Sequence, residues 1–224
     1  MTESATGLIL RTRPLTETSL IVHWLTPEFG RLATVAKGAR RARSPFLGKL
    51  DVFYRANFSF SRSRRSELHT LREVGLRDMQ KELREDLHRL RLAAYAAALI
   101  ERTTETETPL PGIPELMNDF LDSLCRHPPV PQMVLAFELK LLRELGLEPN
   151  PAEARLTPGA KQIARALIGN DWPAILRLKP TSTQVGELRQ FLHGFLIFHL
   201  DHLPRGRSGA LACEPQPPSV TREA

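Results

Sequence analysis

The sequence predicts an α+β chain in two parts, a small five-stranded β-barrel over residues 1–77 and an all-helical bundle over residues 78–203, followed by a disordered tail over 204–224. Three observations carry this expectation. Apolar residues alternate with period two as far as Val74, recur at helical spacing from Met79 onward, and give way after Leu203 to Pro, Gly and Arg with no apolar stripe to bury. With 224 residues, 42% of them hydrophobic, each part can bury a core of its own, so disulfide or metal staples are not needed for folding.

In the first part, Leu8, Leu10 and Thr12 alternate with Ile9, Arg11 and Arg13, and Leu20, Val22 and Trp24 alternate with Ile21, His23 and Leu25. This is the pattern of half-buried strands. Pro27 and Gly30 mark a turn between the second strand and a third at Arg31 to Lys37. Residues 37–49 carry too much Gly, Pro and charge to continue that strand and form a basic loop. The fourth strand, Asp51 to Ser61, sets Val52, Tyr54, Ala56, Phe58 and Phe60 on one face and Phe53, Arg55, Asn57 and Ser59 on the other. A basic turn, Arg62 to Ser66, leads to a fifth strand at Glu67 to Val74. Five short strands in some 70 residues suit a barrel of the OB type.

From Met79 to Arg102 no Pro or Gly interrupts the stripe Leu83, Leu87, Leu90 and Ala94, which predicts one long amphipathic helix. Pro114 and Pro131 suit first helical turns. Leu116, Phe120 and Leu124 line one helix, and Val134, Phe137, Leu141 and Leu145 line the next, which stops at Gly146. Thr157 and Asp171 are N-cap residues for two further helices. The last helix runs from about Ser182 to Leu203, with Val185, Leu188, Leu192, Phe195 and His199 along one face.

Charge is uneven. Residues 1–77 hold fourteen Lys and Arg against six Asp and Glu, while the remainder holds seventeen against nineteen. Ten of the fourteen cations lie between Arg31 and Arg65, where Asp51 is the single acid, and a field of that sign attracts phosphate. The alternative is a solvated basic face that serves solubility. On the nucleic-acid reading, Lys37, Arg40, Arg41, Arg43 and Lys49 of the loop and Arg62, Arg64 and Arg65 of the turn follow one phosphate track. Phe53, beside Arg55 on the polar face of its strand, and Phe46 are candidates for base stacking; the alternative for Phe53 is packing against the helices.

Several function classes find no support. The sequence carries neither a Walker-type phosphate loop nor a G-x-G-x-x-G after a strand. His193, His199 and His202 do not share one side of the last helix, and Cys125 near His127 lacks an orienting third group, so neither a metal site nor a nucleophile is expected. Two cysteines, Cys125 and Cys213, exclude a four-cysteine zinc ribbon. No apolar run approaches the roughly 20 residues that span a bilayer, and Met1 to Gly7 lacks the features of a secretory signal, so a cytoplasmic location with reduced cysteines is expected.

Gly7-Leu8-Ile9-Leu10-Arg11, the segment Leu25 to Leu32, Lys37-Gly38-Ala39-Arg40-Arg41, the helix Phe137 to Gly146 and Leu156-Thr157-Pro158-Gly159 together resemble RecO, a family of bacterial recombination mediators. The resemblance covers nearly the whole chain before the tail. It implies an N-terminal OB-fold and a helical domain, binding of single- and double-stranded DNA, annealing of complementary strands, and work at the nucleoid with RecR and single-strand-binding protein to load recombinase. It also implies that the helical domain holds the acidic, apolar C-terminal tail of single-strand-binding protein. Such a peptide needs an apolar notch with a cation at its rim, for which Phe137, Lys140, Leu141 and Arg143 are candidates, with Arg189 a second cation; ordinary surface charges are the alternative for Lys140 and Arg143. One departure stands out: many RecO proteins carry two cysteine pairs between these last two motifs, and here that space is only Leu147 to Arg155. No zinc and no other cofactor is expected. The competing function class is a basic OB-fold adaptor that binds RNA or an acidic protein partner.

Overall fold

The structure, a computed structural model, describes residues 2–212. Five strands, β1 (Thr2–Pro14), β2 (Leu20–Thr26), β3 (Gly30–Ala36), β4 (Arg55–Ser61) and β5 (Leu68–Asp78), close into a barrel in the order β1-β2-β3-β5-β4. All pairings are antiparallel except β3 with β5. The alternation seen in the sequence is what closes it, because one face of every strand carries apolar side chains. Ile9, Val22, Trp24, Leu32, Ala56, Phe58 and Phe60 meet inside, each at most 3% exposed. Trp24 stacks on Phe58 with ring centroids 3.9 Å apart and donates its indole N–H to the Thr34 hydroxyl at 2.9 Å. The buried polar atom thereby has a partner, as a dry barrel interior requires.

The helical part comprises α1 (Leu87–Thr103), α2 (Gly112–Arg126), α3 (Pro131–Glu144), α4 (Pro158–Gly169), α5 (Trp172–Arg177), α6 (Ser182–Leu200) and a short α7 (Arg207–Leu211). Thr157, Asp171 and Thr181 cap α4, α5 and α6 with side-chain oxygens on backbone N–H groups, and Gly146, at φ +72°, ends α3. At the centre α3 is buried almost throughout from Gln132 to Leu142. The other helices pack around it, with Phe120 4.7 Å from Phe137 and 5.3 Å from Trp172 between ring centroids. Leu8, Leu10 and Leu25 of the barrel belong to this same core. The two parts therefore share one apolar seam.

The connection between α1 and α2 lies on the barrel. Glu107 N–H donates to the Arg31 carbonyl at 2.7 Å, and Thr106 bridges to Arg31. A Cβ on Gly30, already at φ +66°, would collide with the Thr108 carbonyl, which explains the glycine in the turn ahead of β3.

Three expectations are corrected. The predicted helix from Met79 is broken: Lys81–Arg84 form a single 3₁₀ turn, and α1 starts only at Leu87. The carboxylate of Asp86 accepts from His88 N–H at 2.7 Å, and an aspartate used as an N-cap starts a helix rather than sitting inside one. The fourth strand begins at Arg55, because Phe53 adopts φ +64° and turns the chain away from the sheet. The tail does not begin at Pro204: residues 204–212 fold back on the bundle, where Arg207 clamps Glu138 through hydrogen bonds of 2.7 and 2.8 Å. Ala210 and Leu211 are buried beside it. Two apolar residues and one arginine make no visible stripe, yet the buried acid on α3 supplies the partner that orders them. The rest of the predicted tail, with Cys213, lies outside the described residues.

Candidate nucleic-acid interface

The loop between β3 and β4 is pinned at both ends of its basic run. Ala39 and Phe46 are 8% and 6% exposed and pack into the barrel core, and backbone hydrogen bonds from Arg41 to Gly38 and from Ser44 to Arg41 turn the chain in between. Gly38 N–H reaches the Ser19 hydroxyl and Arg40 N–H the Thr18 carbonyl, tying the loop to the β1–β2 turn. Lys37, Arg40, Arg41 and Arg43 are exposed and Lys49 is half-exposed. Among the described residues none of the five has an ion pair, and the single side-chain bond among them, Arg40 to the Thr16 carbonyl, is 3.4 Å long. Cations with no internal partner on a backbone already held in place are what phosphate contact needs, since little order remains to be imposed on binding.

The other cations differ. Arg64 and Arg65 on the β4–β5 turn are exposed. Arg62, by contrast, bonds both Glu3, at 2.8 Å, and Glu107, at 2.7 Å, and its guanidinium holds the Glu3 carboxyl below its ordinary pKa. Glu107 also accepts from His69, which is 1% exposed and stacked on Phe60. Arg55 reaches Asn118 at 2.8 Å and Asp122 at 2.6 Å on α2. These two arginines join the barrel to the helices and do not present free charge. The stacking expectation is corrected as well. Phe53 is 3% exposed and packs with the helical core, its positive φ aiming the ring out of the barrel, and Phe46 is the anchor of the basic loop. Neither ring has a face open to a base.

A basic face apart from the candidate loop and turn lies on β1, β2 and β3. Arg11, Arg13, His23 and Arg31 line a groove of about 440 Å³. Burial and the three neighbouring arginines push the His23 imidazole down to a pKa of about 4. Arg11 and Arg13, two apart on one strand with His23 opposite in the next, form an alternation legible as an outward face.

Two family models match the chain, "Recombination protein O N terminal" over residues 1–79 and "Recombination protein O C terminal" over residues 84–153. The chain belongs to the RecO family. Its relatives include the DNA repair protein RecO of Exiguobacterium sibiricum, 31% identical over 150 residues, which cover 67% of this chain and 59% of that protein. The DNA repair protein RecO of Anaeromyxobacter sp. strain K is 35% identical over 144 residues, 64% of this chain and 57% of that protein. The chain thus spans less than three-fifths of the length of these relatives. The barrel-then-bundle order expected from the RecO resemblance is the one the structure has.

In the C-terminal half of this RecO chain, the candidates for an acidic peptide fare unevenly. Phe137 and Leu141 are each 1% exposed and form the bundle core, so they line no notch. Lys140 is 8% exposed; its ammonium donates to the carbonyls of Ile168, at 3.1 Å, and Asn170, at 2.7 Å, and burial lowers its pKa. It closes the C-terminal end of α4, where unpaired carbonyls favour a cation. Arg143 donates to the same Ile168 carbonyl at 3.0 Å. The rim of cations read from the sequence is therefore a helix cap. Arg189 is exposed and lines a cleft of about 490 Å³ between α6 and residues 203–211, with His193 and Arg205. Cys125 donates to the Gln80 side chain at 3.2 Å, and burial pushes its thiol up to about 11, away from nucleophilic use near neutral pH. Among the described residues no three His, Cys, Asp or Glu side chains gather as metal ligands, and no helix is long and apolar enough to cross a membrane.

Proposed function

We propose that this chain is a non-catalytic DNA-binding mediator of recombination and repair, which anneals complementary strands and acts with RecR and single-strand-binding protein to load recombinase. The observation that carries the reading is the pinned β3–β4 loop, with Lys37, Arg40, Arg41 and Arg43 exposed and without an ion pair among the described residues, on a five-stranded barrel. Backbone phosphates are what such cations recognise, without regard to base sequence. Annealing breaks no covalent bond, so it asks of the protein only that two strands be held with their charge neutralised. Family membership supports the same reading, as do relatives that are DNA repair proteins by name. The protein then acts in the cytoplasm, on the nucleoid.

For the acidic tail of single-strand-binding protein we favour the cleft beside Arg189, where Arg205 supplies a second exposed cation and Leu203 and Leu211 an apolar wall. The test is annealing of complementary oligonucleotides coated with single-strand-binding protein. The wild-type chain accelerates it. The triple variant Arg40→Ala, Arg41→Ala, Arg43→Ala does not, although it folds. Equal annealing by the two proteins overturns the assignment to this loop, and Arg189→Ala with undiminished binding of an acidic tail peptide overturns the cleft.

A further inference from the structure

Of the large apolar side chains exposed among the described residues, Leu87, Ile197 and Phe198 lie on helices, while Leu15 and Leu47 lie on turns of the barrel. Leu47 is 64% exposed and Leu15 46%. Leu47 stands between Arg43 and Lys49 in the β3–β4 loop, and Leu15 on the β1–β2 turn, to which that loop is bonded through Thr18 and Ser19.

The backbone holds Leu47 outward. Its N–H donates to the Ser44 carbonyl at 3.2 Å, Phe46 N–H to the Ser44 hydroxyl at 3.2 Å, and Lys49 N–H to the Phe46 carbonyl at 3.0 Å. Phe46 on one side is buried in the barrel, and Leu50 on the other packs against the same core. Gly48, at φ +72°, has open space where a Cβ would stand, so the glycine serves the backbone, which turns back directly after Leu47. Both flanks are anchored inward and the leucine between them is left in water, where it forgoes the free energy of burial.

Its surroundings indicate what covers it. Lys37, Arg40, Arg41, Arg43 and Lys49 share its loop, and none has an ion pair among the described residues. An apolar side chain set among cations that can hold phosphate is the arrangement by which proteins drive a wedge between base steps. A branched aliphatic side chain has no flat face on which a base can stack, so it parts two bases instead of extending their stack. Glu17, two residues after Leu15, opposes phosphate at the neighbouring turn, which singles out Leu47.

We propose that Leu47 inserts between adjacent base pairs of a bound DNA duplex and unstacks them, while the loop cations hold the flanking phosphates. The proposal rests on the DNA-binding reading and adds a step to it, because bases parted by the wedge are free to exchange partners. Pyrimidine–purine steps, TpA above all, open most readily, so the wedge favours them although the phosphate contacts around it do not read sequence.

The test uses the full chain at saturation and two duplexes, one with 2-aminopurine following thymine at a central step and one with it inside an A-tract. Fluorescence of the wild-type complex rises about threefold at the thymine step, as a base released from its stack requires, and less in the A-tract. Leu47→Ala removes most of that rise and lowers duplex affinity about fivefold, yet keeps the wild-type salt slope because no phosphate contact is lost. Leu47→Met, apolar and of similar size, restores the rise, and Phe198→Ala, which removes an exposed ring from α6, leaves it unchanged. If Leu47→Ala gives the full rise, or if wild type binds duplex with no rise while the Arg40, Arg41, Arg43 variant loses binding, the wedge is refuted and the phosphate role of the loop stands. Should the loop variant also bind like wild type, both assignments fall. A Leu47→Trp chain whose emission shifts to the blue on phosphatidylglycerol vesicles and not on duplex assigns the tip to a membrane surface and overturns the proposal.

Discussion

Two sets of arginines on the same barrel behave oppositely. Those on the β3–β4 loop, Arg40, Arg41 and Arg43, are exposed and free of ion pairs among the described residues. Four others are consumed by internal partners. Arg31 donates to the hydroxyl of Thr104 at 2.7 Å and to its carbonyl, Arg55 binds Asn118 and Asp122, Arg62 spans Glu3 and Glu107, and Arg84, just after the barrel, reaches Asp51 and the Val52 carbonyl. Net charge counts both sets alike. What separates them is whether the fold brings an acceptor within reach, so a basic segment measures attraction for phosphate only after its internal partners have been subtracted. Arg62 sits two residues from the exposed Arg64, and the two have different work.

This contrast sets the scale of what substitution should do, beginning where the partner is most deeply buried. Glu138 is fully buried and accepts from both Arg207 and the Tyr95 hydroxyl, the latter at 2.6 Å. Arg207→Ala leaves that carboxylate in an apolar core with one neutral donor, and should cost about 3–5 kcal/mol of stability in urea unfolding while DNA binding by the folded fraction is unchanged. Phe53→Ala should follow at about 3 kcal/mol, because it empties a site in the seam between barrel and bundle. Its oligonucleotide affinity should match wild type below the melting range, and a specific loss of affinity would restore a stacking role to this ring.

On the free side the balance reverses. Replacing Arg40, Arg41 and Arg43 together should leave stability within about 0.5 kcal/mol, yet reduce the salt slope of single-strand binding by about 2, at roughly 0.7 per lost phosphate contact. A normal slope would show these cations to be solvated only. Arg62→Ala should lower stability by about 1 kcal/mol, as befits a partly exposed network, and change the slope by less than one phosphate contact. A full unit of slope lost at Arg62 would erase the distinction between the two sets.

The smallest effect is one of pH. His23 titrates near 4 in the folded chain against about 6.5 when unfolded. Because the folded value is depressed, the unfolded state takes up the proton first, so stability is lost as pH falls from about 6.5 toward 4. His23→Gln should flatten that part of the stability profile.

Much of the architecture was legible because it is local. Period-two alternation located five strands, Thr157 and Asp171 announced their helices, and the clustering of cations between Arg31 and Arg65 singled out the barrel. The exposed loop cations were readable for the same reason, since a segment of Gly, Pro and Arg has nothing of its own to bury. Side-chain partners were another matter. That Phe53 turns outward into the helices, that Lys140 caps α4 instead of rimming a notch, and that Arg207 finds Glu138 69 residues away depend on which surfaces meet when the barrel docks on the bundle. Sequence by itself determined the order and type of the elements and the sign of the field, because hydrophobic period and charge act at short range along the chain. Only the tertiary structure decided which charges remain free, because a charge is neutralised by whatever lies within a few ångströms in space, and pattern along the chain does not record that distance.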